Sequence, residues 1–89
     1  MIVEFDKSFE KSLEKIKNKL IYTKIEQIIF TCETSPNLDK IPNVRKLSGF
    51  TNYYRLRLGD YRIGFEIINV NVIRFIIIAH RKDIYKMFP

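Results

Sequence analysis

Hydrophobic positions along this chain follow two periods in turn, a helical one before residue 35 and an alternating one after residue 52. Ile2-Val3-Glu4-Phe5 is a short strand candidate, and Asp6 behind it can cap a helix by accepting a hydrogen bond from a free first-turn N–H. The spacing predicts that helix over residues 7–18. Phe9, Leu13, Ile16 and Leu20 recur on one side, while Lys11 with Glu14, and Glu14 with Lys17, pair on the other. A second helix over residues 21–34 carries Ile21, Ile25, Ile28, Ile29 and Cys32 on one stripe. Asn18-Lys19 breaks the two apart, which predicts an antiparallel helical hairpin.

Thr34-Ser35-Pro36-Asn37 favours a turn, and Pro42 keeps residues 35–45 irregular, with Leu38, Ile41 and Val44 tucked against the core edge. Three strands are then predicted over residues 53–58, 61–68 and 72–79, joined by Gly59-Asp60 and Asn69-Val70-Asn71 into an antiparallel meander. In the last strand, strict alternation places Phe75, Ile77 and Ala79 on one face and Arg74, Ile76, Ile78 and His80 on the other. The tail after residue 80 is long enough for one helical turn. The expected fold class is α+β: an N-terminal strand at the sheet edge, and a two-helix hairpin on one face of a three- to four-stranded antiparallel sheet. Eighty-nine residues make a single domain, 1–89, with one modest core. The helices can cover only one face of the sheet, so the other is left to solvent or a partner.

Charge gives that other face a character. Residues 1–44 hold seven lysines and seven acids, whereas residues 45–89 hold nine basic residues against Asp60, Glu66 and Asp83, so the whole +6 surplus lies in the second half. All the arginines are there too. Alternation makes Arg55 and Arg57 project together, opposite to Tyr54, Leu56 and Leu58, and sets Arg62 opposite to Ile63, Phe65 and Ile67. A planar guanidinium suits bidentate phosphate contacts and base stacking. Arg55, Arg57, Arg62, Arg74 and His80 therefore form the expected cationic face.

Other chemistries are excluded or disfavoured. With a single cysteine, Cys32, no intrachain disulfide and no cysteine-based metal cluster can form, and a single histidine argues against a zinc site. Cys32 falls in register with Ile25 and Ile29 and reads as a buried structural thiol. No apolar run is long enough to span a bilayer, and the acid at Glu4 does not fit a secretory signal, so a cytoplasmic protein without membrane contact is expected. Nothing in the residues calls for a cofactor.

Four segments together carry a resemblance: Lys46-Leu47-Ser48-Gly49, Tyr54-Arg55-Leu56-Arg57-Leu58, Gly59-Asp60-Tyr61-Arg62-Ile63 and His80-Arg81-Lys82-Asp83-Ile84-Tyr85. The pattern resembles the RelE/ParE toxin superfamily, on its RelE side, over essentially the whole chain. The resemblance implies the toxin half of a type II toxin–antitoxin pair, a ribosome-dependent endoribonuclease that cuts mRNA in the ribosomal A site, beside the 16S rRNA, and is held by an acidic cognate antitoxin. ParE relatives of the same fold inhibit DNA gyrase instead, and a non-toxic module that only binds antitoxin is a third possibility. By the same resemblance, Arg62 sits at the arginine that contacts the scissile phosphate and Arg81 at a basic residue after the last strand. Tyr85 sits at a tyrosine that stacks on a base. Arg55 and Arg57 stand where RelE toxins often carry lysines.

RNA cleavage of this kind uses the substrate's own 2′-hydroxyl, so positioned cations can supply much of the catalysis without a metal. The catalytic candidates are Arg62, Arg55, Arg57, His80, Arg81 and Tyr85; Lys46, Tyr53, Arg74 and Lys82 are the further RNA-binding candidates. Because a guanidinium is a poor general base, the proton-transfer role is expected of His80, with a structural role the alternative. Glu66, on the parity of Arg62, is expected to pair with a neighbouring arginine, and Tyr61 to pack at the core edge.

Overall fold

The computed structural model describes residues 1–89. The elements in chain order are β1 (Ile2–Phe5), α1 (Lys7–Glu14), α2 (Lys19–Thr34), β2 (Val44–Lys46), β3 (Tyr53–Leu58), β4 (Tyr61–Asn69), β5 (Val72–His80) and α3 (Ile84–Met87), with one 3-10 turn at Leu38–Lys40. The five strands form one sheet in the order β1-β5-β4-β3-β2. β2 to β5 pair antiparallel, as the meander requires, but β1 joins the edge parallel to β5, so the sheet is mixed.

The helices cover one face. Phe9 from α1 and Ile21, Ile25, Ile28 and Cys32 from α2 pack on Leu56, Leu58, Ile63, Phe65, Ile73, Phe75 and Ile78. Aromatic rings fill the end beside β1, where Phe9 lies 5.4 Å from Phe75 and 5.7 Å from Phe5 between ring centroids. Burial of a side chain of this size contributes about 1.5–3 kcal/mol, which makes this layer the main source of stability. Cys32 is fully enclosed here, and burial pushes its thiol up to about 11.

The first helix is shorter than its spacing predicts. Asp6 caps it as expected, accepting from the Ser8 N–H at 3.1 Å and from the Ser8 hydroxyl, and these hydrogen bonds, the hydroxyl's foremost, hold its carboxyl below the ordinary value. It stops at Glu14, not at 18. The Tyr22 hydroxyl shares its one proton between the carbonyls of Leu13 (3.0 Å) and Ile16 (2.7 Å) at the helix end, where carbonyls run short of intrahelical partners. Asn18 then caps α2, and Leu20, placed by its spacing on the first apolar stripe, lies 61% exposed on the second helix. Residues 35–45 are also less irregular than expected, since they contain the 3-10 turn and the start of β2. Asn43, at φ 62, takes the left-handed conformation that turns the chain into this extra strand.

An irregularity in β5 alters its faces. Gly64 pairs with Ile77 but Phe65 pairs with Phe75, so Ile76 is an extra residue with no partner of its own. Two serines of α1 serve the interrupted ladder: Ser8 Oγ shares its one proton between the Ile76 carbonyl and the Asp6 carboxylate, and Ser12 Oγ accepts from the Ile78 N–H at 3.0 Å. Beyond the extra residue the alternation is reversed. Ile78 joins Ile73 and Phe75 in the helix-side core, whereas Ala79 and Ile77 face the opposite layer. His80 pairs with Tyr61, which also packs on the helix side.

That opposite layer is not left open. Ile84 (1% exposed) and Phe88 (3%) of the C-terminal segment pack with Leu47 and Ala79 against Tyr53, Ile76 and Ile77, forming a small second core. The tail thus covers the middle of the sheet and leaves its β2–β3 side uncovered.

Candidate functional site

Register assembles the cations. Arg45 on β2 stands beside Arg55 on β3, and Arg55 beside Gly64 on β4; in the next row on the same face, Arg57 stands beside Arg62. These four arginines, with Asn43, Val44 and Tyr85, line a cleft of about 380 Å³. None has a carboxylate within ion-pair distance, because the one salt bridge of the molecule joins Arg74 to Glu4 at 3.0 Å on the far edge. Guanidinium groups gathered without counter-charge make a site for an anion, and planar forks at several angles suit phosphate oxygens.

Backbone and amide acceptors orient the site. Arg62 Nη1 donates to the carbonyls of Gly59 (2.9 Å) and Tyr61 (2.8 Å), which ties its side chain to the β3–β4 turn. Arg57 Nη2 reaches Asn43 Oδ1 at 3.4 Å, and the Arg57 N–H donates to the Asn43 carbonyl at 3.0 Å. Arg55 lies under Tyr85, its guanidinium carbon 4.3 Å from the ring centroid, and Nη2 approaches the Phe88 carbonyl at 3.5 Å. Its Nε is buried without an acceptor, an arrangement that costs stability. Tyr85 itself is 73% exposed. A ring held from beneath by a cation and bare above is a ready stacking platform. On its other side a second cleft, of about 530 Å³, shares Arg45, Arg55 and Tyr85 with the first.

The remaining sequence candidates lie elsewhere. His80 is on the helix side of the sheet: its ring meets Tyr61 edge-on at 5.7 Å and its Nδ1 accepts from the Lys82 N–H at 3.2 Å. The single extra residue at Ile76 is what turns it away from the arginine face, contrary to the alternation expected of β5. Arg74 keeps the expected face but is paired with Glu4 at the β1 edge, two strands from Arg55; Glu66 stands beside it in the register. Lys46 pairs in register with Tyr54, whose ring stacks on Phe65 in the helix-side core, so it leaves the strand on the face opposite to Arg45, yet it lines the second cleft with Arg45, Arg55 and Tyr85. Tyr53 is half-buried between Phe50 and Phe88, at 5.5 and 5.4 Å, and supports the tail. Arg81 and Lys82 are exposed in the turn after β5, where the Arg81 N–H donates to the Asp60 carbonyl at 2.8 Å, beside the turn that anchors Arg62.

Arg45 and Asn43 are the site residues that the sequence reading passes over. The signal was present in the period-two run Val44-Arg45-Lys46, but three residues after a proline are too few to declare a strand. No cluster of His, Cys, Asp or Glu side chains is placed to hold a metal ion, and no helix is long and apolar enough to cross a membrane.

Residues 3–85 match the family described as the ParE toxin of the type II toxin–antitoxin system, parDE. Toxin RelE3 of Methanocaldococcus jannaschii is 41% identical over 90 residues, covering all of both chains. Among solved structures, the RelB-RelE antitoxin–toxin complex from Methanococcus jannaschii matches with TM-score 0.81 at 40% identity, covering 97% of this chain and 99% of that one. The archaeal RelE-RelB complex from Pyrococcus horikoshii OT3 matches with TM-score 0.71 at 28% identity, covering 90% and 93%. The isolated Escherichia coli RelE toxin, at 19% identity, TM-score 0.65 and coverage of 96% and 90%, shares the fold. A fold of helices on one face of a mixed sheet, an arginine cleft between β2 and β4, and full-length identity to a RelE toxin agree, and the chain belongs to the RelE/ParE family of type II toxins, on its RelE side.

Proposed function

We propose that this protein is an endoribonuclease that cuts mRNA in the ribosomal A site and is restrained by an acidic RelB-type antitoxin. The observation that carries the proposal is the cleft itself: four guanidinium groups without a carboxylate partner around about 380 Å³, with the exposed Tyr85 ring at its edge. Relatives described as RelB-RelE complexes support the antitoxin as partner. The place of action makes the protein cytoplasmic.

In this reading the 2′-oxygen of the upstream nucleotide attacks the adjacent phosphorus and the bond to the 5′-oxygen breaks. The products are a 2′,3′-cyclic phosphate and a 5′-hydroxyl. Arg57 and Arg62 grip the phosphate and offset the charge that grows on its oxygens, the largest contribution in reactions of this type. Arg55 adds a third cation, and Tyr85 holds a base by stacking, a contact worth about 1–3 kcal/mol in comparable sites. Arg45 and Arg81 engage neighbouring phosphates. The 2′-hydroxyl proton passes to water, since no imidazole reaches the cleft, and water protonates the leaving oxygen.

Brief expression followed by mapping of transcript 5′ ends tests the proposal. New ends within translated codons, absent when the start codon is removed and blocked by a 2′-deoxy residue before the cut in a programmed-ribosome assay, are the expected result. The ParE description of the matching family gives the competing reading. Intact transcripts with trapped gyrase–DNA complexes would establish that reading in its place.

A further inference from the structure

We propose that Gly64 and Phe88 are positioning residues of the arginine cleft: the Phe88 ring, seated on the bare Cα of Gly64, fixes α3 so that Tyr85 stays over Arg55. The proposal rests on the RNA-cleaving reading for its effect on activity, and on geometry alone for the seating.

Gly64 lies within β4 between Arg55 on β3 and Ile77 on β5. Glycine weakens a strand interior, and its presence there marks a close approach by another group. A Cβ at this position would stand 2.5, 2.6 and 2.9 Å from three atoms of the Phe88 ring, so no other residue leaves room for the ring where it sits. Phe88 is 3% exposed, closed in by Leu47, Ala79 and Ile84, with Tyr53 edge-on at 5.4 Å.

The four residues of α3 cannot hold a helix unaided. Their position is set by the two side chains buried at the ends of the segment, Ile84 and Phe88, and Tyr85 lies between them. Phe88 also acts directly on Arg55, since its carbonyl is the acceptor nearest Arg55 Nη2, at 3.5 Å. One buried ring therefore governs both members of the Arg55–Tyr85 pair while lining only the second cleft, away from Arg57 and Arg62.

The test uses the full chain with Phe88→Ala, Phe88→Leu and Gly64→Ala. Without RNA, NMR reads the ring-current shift that Tyr85 imposes on the Arg55 side chain, and backbone amide shifts report that the sheet is intact. The shift should collapse in Phe88→Ala and Gly64→Ala and persist in Phe88→Leu, and the Gly64→Ala/Phe88→Ala double variant should be no worse than Phe88→Ala alone. In single-turnover cleavage, Phe88→Ala should slow the reaction by about tenfold or more, the scale of a misplaced positioning group. It should add no further loss in a Tyr85→Ala background. An unchanged Arg55 resonance in folded Phe88→Ala, or an equal loss of cleavage with and without Tyr85, overturns the proposal. A wild type that fails to cleave removes the RNA-cleaving reading instead, and the Arg55 resonance then decides the seating by itself.

Discussion

Arg57 and Arg62 stand directly opposite each other across the β3–β4 hairpin, with no carboxylate in ion-pair distance of either. Like charges in facing positions destabilise a sheet by a few tenths to about 1 kcal/mol, so the hairpin carries a repulsion that a bound phosphate would relieve. Arg57→Gln should therefore leave the free protein as stable as the parent or slightly more so. The same change should lower cleavage by about 10²-fold, the scale of a lost transition-state contact. Denaturant midpoints beside single-turnover rates check both halves; a variant that is less stable and fully active would contradict them.

His80 should be dispensable for the chemistry. Its ring packs on Tyr61 and its Nδ1 is occupied by the Lys82 N–H, on the face away from the arginines. Replacement by Gln should cost far less than the roughly 10²-fold expected of a lost acid–base group. The pH profile of cleavage should keep its shape. A large loss, with a bend in the profile that disappears in the variant, would return His80 to the reaction.

Arg74→Ala should be nearly silent. The Arg74–Glu4 pair is exposed, with side chains 40% and 44% accessible, and pairs of this kind contribute about 0–1 kcal/mol. Unfolding midpoints should move within that range at low salt and less at high salt, and RNA cleavage should stay near the parent rate. A cleavage defect comparable to that of Arg57→Gln would extend the working surface to the β1 edge.

Cys32 should make the protein weaker in alkali. Burial raises its thiol from an ordinary 9.0 to about 11, so between those values the unfolded chain releases a proton that the native chain keeps. The contribution is fully present below 9 and is lost as pH rises through 11. Urea midpoints should fall across this window in the parent and fall less steeply in Cys32→Ala. Equal slopes would show that the thiol is not the group responsible.

Much of this was legible from local pattern. The helix stripe through Ile21, Ile25, Ile28 and Cys32, the capping role of Asp6, and the shared face of Arg55, Arg57 and Arg62 all depend on residues a few positions apart, where periodicity is a direct physical constraint. What escaped depends on distance or on a miscount. Phe88 meets Gly64 across 24 positions, and no local propensity links a ring to the space left by a missing Cβ. Arg45 joins the cleft only because Val44–Lys46 finds a partner in β3, a tertiary event that outweighs a proline two residues earlier. His80 faces the helices because alternation breaks at Ile76, and nothing local in the sequence signals an extra residue there.

Ile76 can be regarded as a shift of reading frame in the side-chain code of β5. Upstream of it, even-numbered positions such as Arg74 address the tail layer; downstream, odd-numbered positions such as Ile77 and Ala79 do. One strand thereby contributes to two cores of different size and ends with the right side facing each. The frame is set by the presence of an extra residue between Phe75 and Ile77, not by which residue it is. Deleting Ile76 would make the Phe65–Phe75 and Gly64–Ile77 pairs consecutive and keep Ile78 and His80 on the helix side, removing only the carbonyl that Ser8 meets, and exchanging Ile76 for another apolar residue would alter little. At Ile76 the strand has one residue to spare, the place where β5 can lose a position without sending its downstream side chains to the other face.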